Sequence, residues 1–168
     1  MSHAVLKNKT TDLNPNFGVS DNKRRDVADA LADVLSDSFR LYINAQGLHW
    51  NAEGPMFFSL HQLTEAQYED LAKANDKLAE RIRALGLPAP QSLEEFQRRS
   101  AIEDLPASEP LEGRILRLID DYEAAAARAL RTVSIADSAG DVMTADLLTA
   151  RIGRYEENAW MLRATIAS

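Results

Sequence analysis

Four stretches of this chain repeat their apolar residues every three or four positions, and nowhere does the sequence alternate with the period of two that a half-buried strand needs. From about residue 21, Val27, Leu31, Val34, Leu35, Ser38 and Tyr42 form one stripe. They predict a helix that runs to about His49 and ends before Gly54-Pro55, because proline restricts the residue preceding it. A second helix is predicted from about 56 to 85, with Leu60, Leu63, Gln67, Leu71, Ala74, Leu78, Ile82 and Leu85 facing inward. Gly86 suits the position just past a helix end, and Pro88 and Pro90 prevent continuation. Residues 91–100 read as a short helix within a long connection. A third helix follows Ser108-Glu109-Pro110, with Leu111, Ile115, Leu118, Ile119, Tyr122, Ala126, Ala129 and Val133 inward. Gly140-Asp141 breaks the pattern, and a fourth helix carries the stripe Val142, Ala145, Leu148, Ile152, Tyr155, Ala159, Leu162 and Ile166.

The fold expected is therefore all-α: four long amphipathic helices, with a long crossover carrying a short extra helix between the second and third. That is the ferritin-like four-helix bundle. At 168 residues the chain can bury one core. Residues 1–20, with Asn14-Pro15-Asn16-Phe17-Gly18, read as a flexible polar arm, and residues 21–168 as the bundle. Cysteine is absent, which excludes disulfides, thiolate metal sites and thiol nucleophiles and suits a reducing cytoplasm. No apolar run approaches the roughly 20 residues of a membrane span, and the first residues lack the apolar core of a secretory signal. A net charge of −7 argues against binding nucleic acid through the whole surface. Yet Lys7, Lys9, Lys23, Arg24 and Arg25 oppose only Asp12 and Asp21 in the first 25 residues. Those five cations are candidates for DNA phosphate contact; a solvated terminus is the plainer explanation.

Metal-ligating side chains concentrate between Gly47 and Arg81. Two of the three histidines, His49 and His61, lie twelve residues apart there, followed by Glu65, Asp76 and Glu80. Imidazole with carboxylate is a donor set that suits iron and zinc. On a wheel of about 100° per residue with Leu60 at zero, the core stripe lies within about 60°, whereas His61, Glu65, Asp76 and Glu80 fall at about 100°, 140°, 160° and 200°. They share a flank with Phe58, Ala72 and Ala79, away from the bundle's own core. His61 and Asp76 are fifteen residues apart, roughly 22 Å along a helix, so one ion cannot touch both. Two copies of the helix packed antiparallel across a two-fold axis would bring residue 61 of one toward 76 and 80 of the other, giving two equivalent sites. His49, at the end of the first helix, could close each site. The ordinary alternatives stand beside this: an i,i+4 acidic pair is usually solvated surface, a histidine beside Trp50 is usually hydrogen-bonded structure, and Trp50, Phe57 and Phe58 could simply pack. The Glu-x-x-His spacing of an intrasubunit di-iron centre is missing, since Gln46 precedes His49 and Phe58 precedes His61 by three.

With His49-Trp50-Asn51, Gly54-Pro55, Phe57, Leu60-His61, Tyr68, Asp76, Ala79-Glu80-Arg81-Ile82 and Leu85-Gly86, the chain resembles the Dps family of ferritin-like mini-cages that protect DNA in starved bacteria. A weaker match lies in Thr144-Ala145-Asp146-Leu147-Leu148 and Ala159-Trp160-Met161-Leu162, so the likeness covers nearly everything after residue 20. The resemblance implies a hollow homododecamer in which iron is oxidised at two-fold interfaces, preferentially by hydrogen peroxide, and stored as ferric mineral. It implies His49 and His61 as ligands from one subunit and Asp76 and Glu80 from its partner, with Glu80 able to bridge two ions. Zinc is a possible competitor. Glu65 stands where the family usually has aspartate, which displaces the ligating oxygen by about a bond length and bears on the second iron position. Trp50 resembles the family's aromatic beside the site, a sink for stray oxidising equivalents. Asp137, Asp141 and Asp146 would line three-fold pores for Fe(II) entry, although an aspartate at a helix start is favourable on its own. Two other readings remain: a DNA-compacting cage with a structural interface metal, and a helical scaffold that has lost its metal.

Overall fold

A computed structural model describes residue 15 and residues 17–167. Its elements are α1 (Asp21–Trp50), α2 (Phe57–Ala84), α3 (Leu93–Arg99), α4 (Leu111–Ala139) and α5 (Val142–Thr165), with no strand among the described residues. The expected fold class is as the sequence predicts, and so are the helix ends to within one or two residues, except that α5 stops at Thr165 where the sequence pattern carries it to the C-terminus. α1 packs on α2 and α4, and α5 on α4 and α2, so the four long helices enclose one core. Leu31, Leu41, Leu48, Leu60, Leu71, Leu78, Ile82, Ile115, Leu118 and Leu162 fill it, all inaccessible to solvent. Tyr122 and Tyr155 lie at its centre, where the Tyr122 hydroxyl donates to Gln67 Oε1 at 3.4 Å.

Local chemistry sets the helix ends. The Ser92 side chain accepts from the Glu95 amide at 3.2 Å and starts α3. Gly86 ends α2 at φ 90°, and Gly140 ends α4 at φ 78°, a left-handed conformation that glycine adopts without a side-chain penalty. At the latter turn the Gly140 amide donates to Asp137 O and the Asp141 amide to Ala136 O, each at 2.9 Å. The turn is so short that α4 and α5 must run as an antiparallel hairpin.

The crossover is clipped to the α1–α4 seam by buried polar groups. Asp37 accepts from the Ala101 amide (2.8 Å) and the Ser100 hydroxyl (2.9 Å), and pairs with Arg128 at 2.9 Å. Asn44 donates to Glu103 O at 2.8 Å and to Asp121 Oδ2 at 3.2 Å, and accepts from the Leu105 amide at 3.3 Å. Burial raises the carboxyls of both Asp37 and Asp121, Asp121 to about 6.

One core expectation fails. Val142 is 73% exposed, because the inward face of the first turn of α5 is taken by Asp141 and Thr144, followed by Ala145 and Leu148. Val142 stands about 100° off the Asp141 position and points outward.

Candidate metal half-sites

The last turn of α1 and the first two turns of α2 bring His49 and His61 together. Their rings stack with centroids 3.8 Å apart and planes 17° from parallel. Each ring bonds the other residue's backbone: His49 Nδ1 lies 2.9 Å from His61 O, and His61 Nδ1 3.1 Å from His49 O. A carbonyl oxygen only accepts, so each Nδ1 carries the hydrogen. In the neutral imidazole this leaves the lone pair on Nε2, and a metal-binding histidine is oriented by such a bond from its other nitrogen. Phe57 packs on His61 at 5.1 Å, and Tyr68 meets His49 edge-on at 5.2 Å. His49 is 7% exposed, so its ring position is fixed by packing as well as by hydrogen bonding.

The carboxylates follow along α2. Glu65, one turn beyond His61, is half-buried; Asp76 and Glu80 are exposed. Among the described residues none of the three makes an ion pair or a side-chain hydrogen bond, so their oxygens keep their acceptor capacity. Desolvation, assisted by the carboxylates of Glu65 and Glu69, raises the Tyr68 phenol above its ordinary value and keeps it protonated. Among the described residues of one chain, no three His, Asp or Glu side chains converge as a metal site. The structure therefore unites His49 with His61, leaves Glu65 beside them, and holds Asp76 and Glu80 apart, further along the helix.

Large apolar side chains are exposed at the ends of the two helices that carry the histidines: Trp50 is 69% exposed at the end of α1, and Phe57 and Phe58 are exposed at the start of α2. The sequence pattern gave no sign of the reciprocal histidine–carbonyl pair, since a backbone acceptor leaves no trace in residue identity. Nor did it predict the contact of Tyr68 with His49.

Two of the other candidate residues, Asp141 and Arg24, are buried and bonded within the chain. Asp141 is 3% exposed, caps α5 through the Thr144 amide at 3.0 Å and pairs with Arg81 at 2.7 Å. Burial alone would raise its carboxyl, but the hydrogen bonds from Arg81 and from the Thr144 side chain and backbone prevail and hold it below the usual range. Asp137 and Asp146 are exposed on either side of the turn. Arg24 is buried, bonded to Pro15 O at 2.7 Å and Val19 O at 3.2 Å and paired with Asp21 at 3.0 Å. These bonds hold the described end of the arm on the body, and the Arg81 guanidinium lies 5.8 Å from the Phe17 ring centroid. Lys23 and Arg25 are exposed, with the Lys23 ammonium donating to Ser138 O at 3.0 Å. Lys7 and Lys9 lie outside the described residues.

Comparison with known proteins gives a consistent answer. Residues 28–168 match the ferritin family, by its ferritin-like domain. A low temperature-induced protein of Nostoc sp. is 37% identical over 156 residues, spanning 90% of this chain and 86% of that protein. DNA protection during starvation protein 2 of Bacillus anthracis is 33% identical over 140 residues, spanning 83% of this chain and 96% of that protein. The crystal structure of Dps from Vibrio cholerae, a member of the ferritin-like diiron-carboxylate superfamily, superposes with a TM-score of 0.85 at 28% identity, covering 92% of this chain and 98% of that one.

Proposed function

We propose, since this chain belongs to the Dps family of ferritin-like proteins, that it oxidises Fe(II) at sites shared between subunits, preferring hydrogen peroxide, and stores the ferric product inside a cage of twelve copies. The observation that carries this reading is the reciprocal histidine pair, which orients two imidazoles with their Nε2 lone pairs free. Imidazole and carboxylate together suit Fe(II), and the negative charge of Asp76 and Glu80 favours Fe(III) more strongly still. His49, His61 and Glu65 supply one half of each site; Asp76 and Glu80 of the neighbouring subunit supply the other, with the exposed Trp50, Phe57 and Phe58 covered by the contact.

Two Fe(II) ions held at one interface give one electron each to peroxide, which takes up two protons and leaves as two waters. Both electrons passing together avoids the one-electron cleavage that would release hydroxyl radical, so DNA is protected without being touched. Trp50 stands next to His49 as a donor for any oxidising equivalent that escapes. Asp137 and Asp146 attract Fe(II) toward the cage, which works in the bacterial cytoplasm. Zinc, which takes the same nitrogen and oxygen donors, competes at the site.

The test is anaerobic loading with Fe(II), then substoichiometric peroxide, in the wild type and a His49→Ala, His61→Ala double variant. Rapid ferric absorbance is expected in the wild type and slow oxidation in the variant; equal rates would remove the assignment.

A further inference from the structure

On the flank of α2 away from the histidines, the chain gathers positive charge. Lys73 and Lys77, four residues apart on α2, face Arg151 and Arg154 of α5 across a groove of about 200 Å³. Two carboxylates answer them. Asp70 lies 2.5 Å from Arg151 and 3.7 Å from Arg154, and Glu157 pairs with Arg154. Asp76 and Glu80 follow Lys73 and Lys77 by three residues on α2 but do not line the groove, and among the described residues neither lysine has an ion-pair partner. Arg151 is 7% exposed, with its guanidinium 4.7 Å from the Tyr155 ring centroid and its Nε without an acceptor. A buried cation with an unused donor, beside two unpaired ammonium groups, runs against a chain whose net charge is −7.

These groups match an anion that accepts several charge-assisted hydrogen bonds at once. Guanidinium supplies a planar fork and ammonium a mobile point charge, the combination that grips a tetrahedral oxyanion. The groove is smaller than the roughly 300–1,000 Å³ that drug-sized ligands occupy, which favours a small ion over a nucleotide. We propose that the α2–α5 groove binds inorganic phosphate through Lys73, Lys77, Arg151 and Arg154. Binding stands apart from iron chemistry. Its use does rest on the proposed function: phosphate held on α2, the helix that also carries Asp76 and Glu80, would meet ferric iron leaving the oxidation site and be laid down with it.

The test is a phosphorus NMR and calorimetric titration of inorganic phosphate into the assembled, iron-free protein. Saturable binding of one phosphate per subunit is expected. Affinity should fall at least about tenfold in Lys73→Ala, Lys77→Ala, the equivalent of one strong charge-assisted bond. It should be unchanged in Lys23→Ala, Arg25→Ala, which removes two exposed cations elsewhere. Sulfate, also tetrahedral, should compete. The proposal is overturned if the wild type shows no saturable binding or if both double variants lose affinity equally. All four lysine and arginine substitutions are at exposed positions, and unchanged helicity and assembly size confirm that each variant is folded. Because no iron is present, failure here leaves the ferroxidase reading intact, and failure of that reading leaves this one intact.

Discussion

Two sets of carboxylates on the same bundle behave in opposite ways. At the helix ends and along the α1–α4 seam, Asp141 and Asp37 are buried and every one of their roles is structural: Asp141 caps α5 and holds Arg81, and Asp37 holds the crossover and Arg128. On the outer flank of α2, Asp76 and Glu80 are exposed and make no such bond among the described residues. Burial with partners marks a carboxylate that maintains the fold, while Asp76 and Glu80, exposed and without such bonds, keep their acceptor capacity.

The sharpest way to break that comparison is to remove one carboxylate from each set. Asp141→Ala leaves Arg81 without its ion-pair partner and α5 without its cap, and should lower unfolding stability by about 3–5 kcal/mol in urea at fixed protein concentration. Asp76→Ala should stay within about 0.5 kcal/mol of wild type while losing rapid iron oxidation. If the two variants lost stability equally, the division would be wrong.

Protonation gives a second contrast. Asp121 is raised to about 6 by burial, so the folded state binds its proton more tightly than the unfolded state does. Its destabilising contribution is full above pH 6 and is relieved as pH falls toward 3.8. Asp121→Asn keeps an acceptor for Asn44 and should raise stability at pH 7 by of order 1 kcal/mol after allowance for solvent screening, with the gain vanishing near pH 4. Asp141 has the opposite sign. Its lowered carboxyl contributes stability above its unfolded value, and that is lost only as pH falls through the still lower folded value. Denaturation midpoints measured from pH 3 to 8 in the two variants would separate these signs.

The smallest expected effect belongs to Glu65. Glu65→Asp should alter Fe(II) affinity at one of the two iron positions by a few-fold and leave the melting temperature within about 2 °C. Calorimetric titration with Fe(II) under anaerobic conditions would read it, and an unchanged isotherm would remove Glu65 from the ligand set.

The helices were legible in the sequence because apolar spacing, Ser92, Gly86 and Gly140 all act locally. The phase of the first turn of α5 was not. Asp141 and Thr144 occupy its inward face as polar residues satisfied by each other and by Arg81, so an apolar count placed Val142 inside. The burial of Arg24 was not legible for a related reason, since it bonds the backbone oxygens of Pro15 and Val19 as well as Asp21. The flank bearing His61, Glu65, Asp76 and Glu80 could be drawn from helix geometry alone. The stacking of His49 on His61 could not, because it depends on how six linking residues return the chain.

The division of the site between two subunits can be tested by co-assembling two inactive proteins. His49→Ala, His61→Ala subunits retain Asp76 and Glu80; Asp76→Ala, Glu80→Ala subunits retain both histidines. When the two are unfolded, mixed in equal amounts and reassembled, a two-fold pair containing one of each rebuilds one complete site of its two. Random pairing should then restore about a quarter of the wild-type rate of peroxide-driven iron oxidation. A mixture no faster than either parent would place all the ligands within one chain and contradict the shared site.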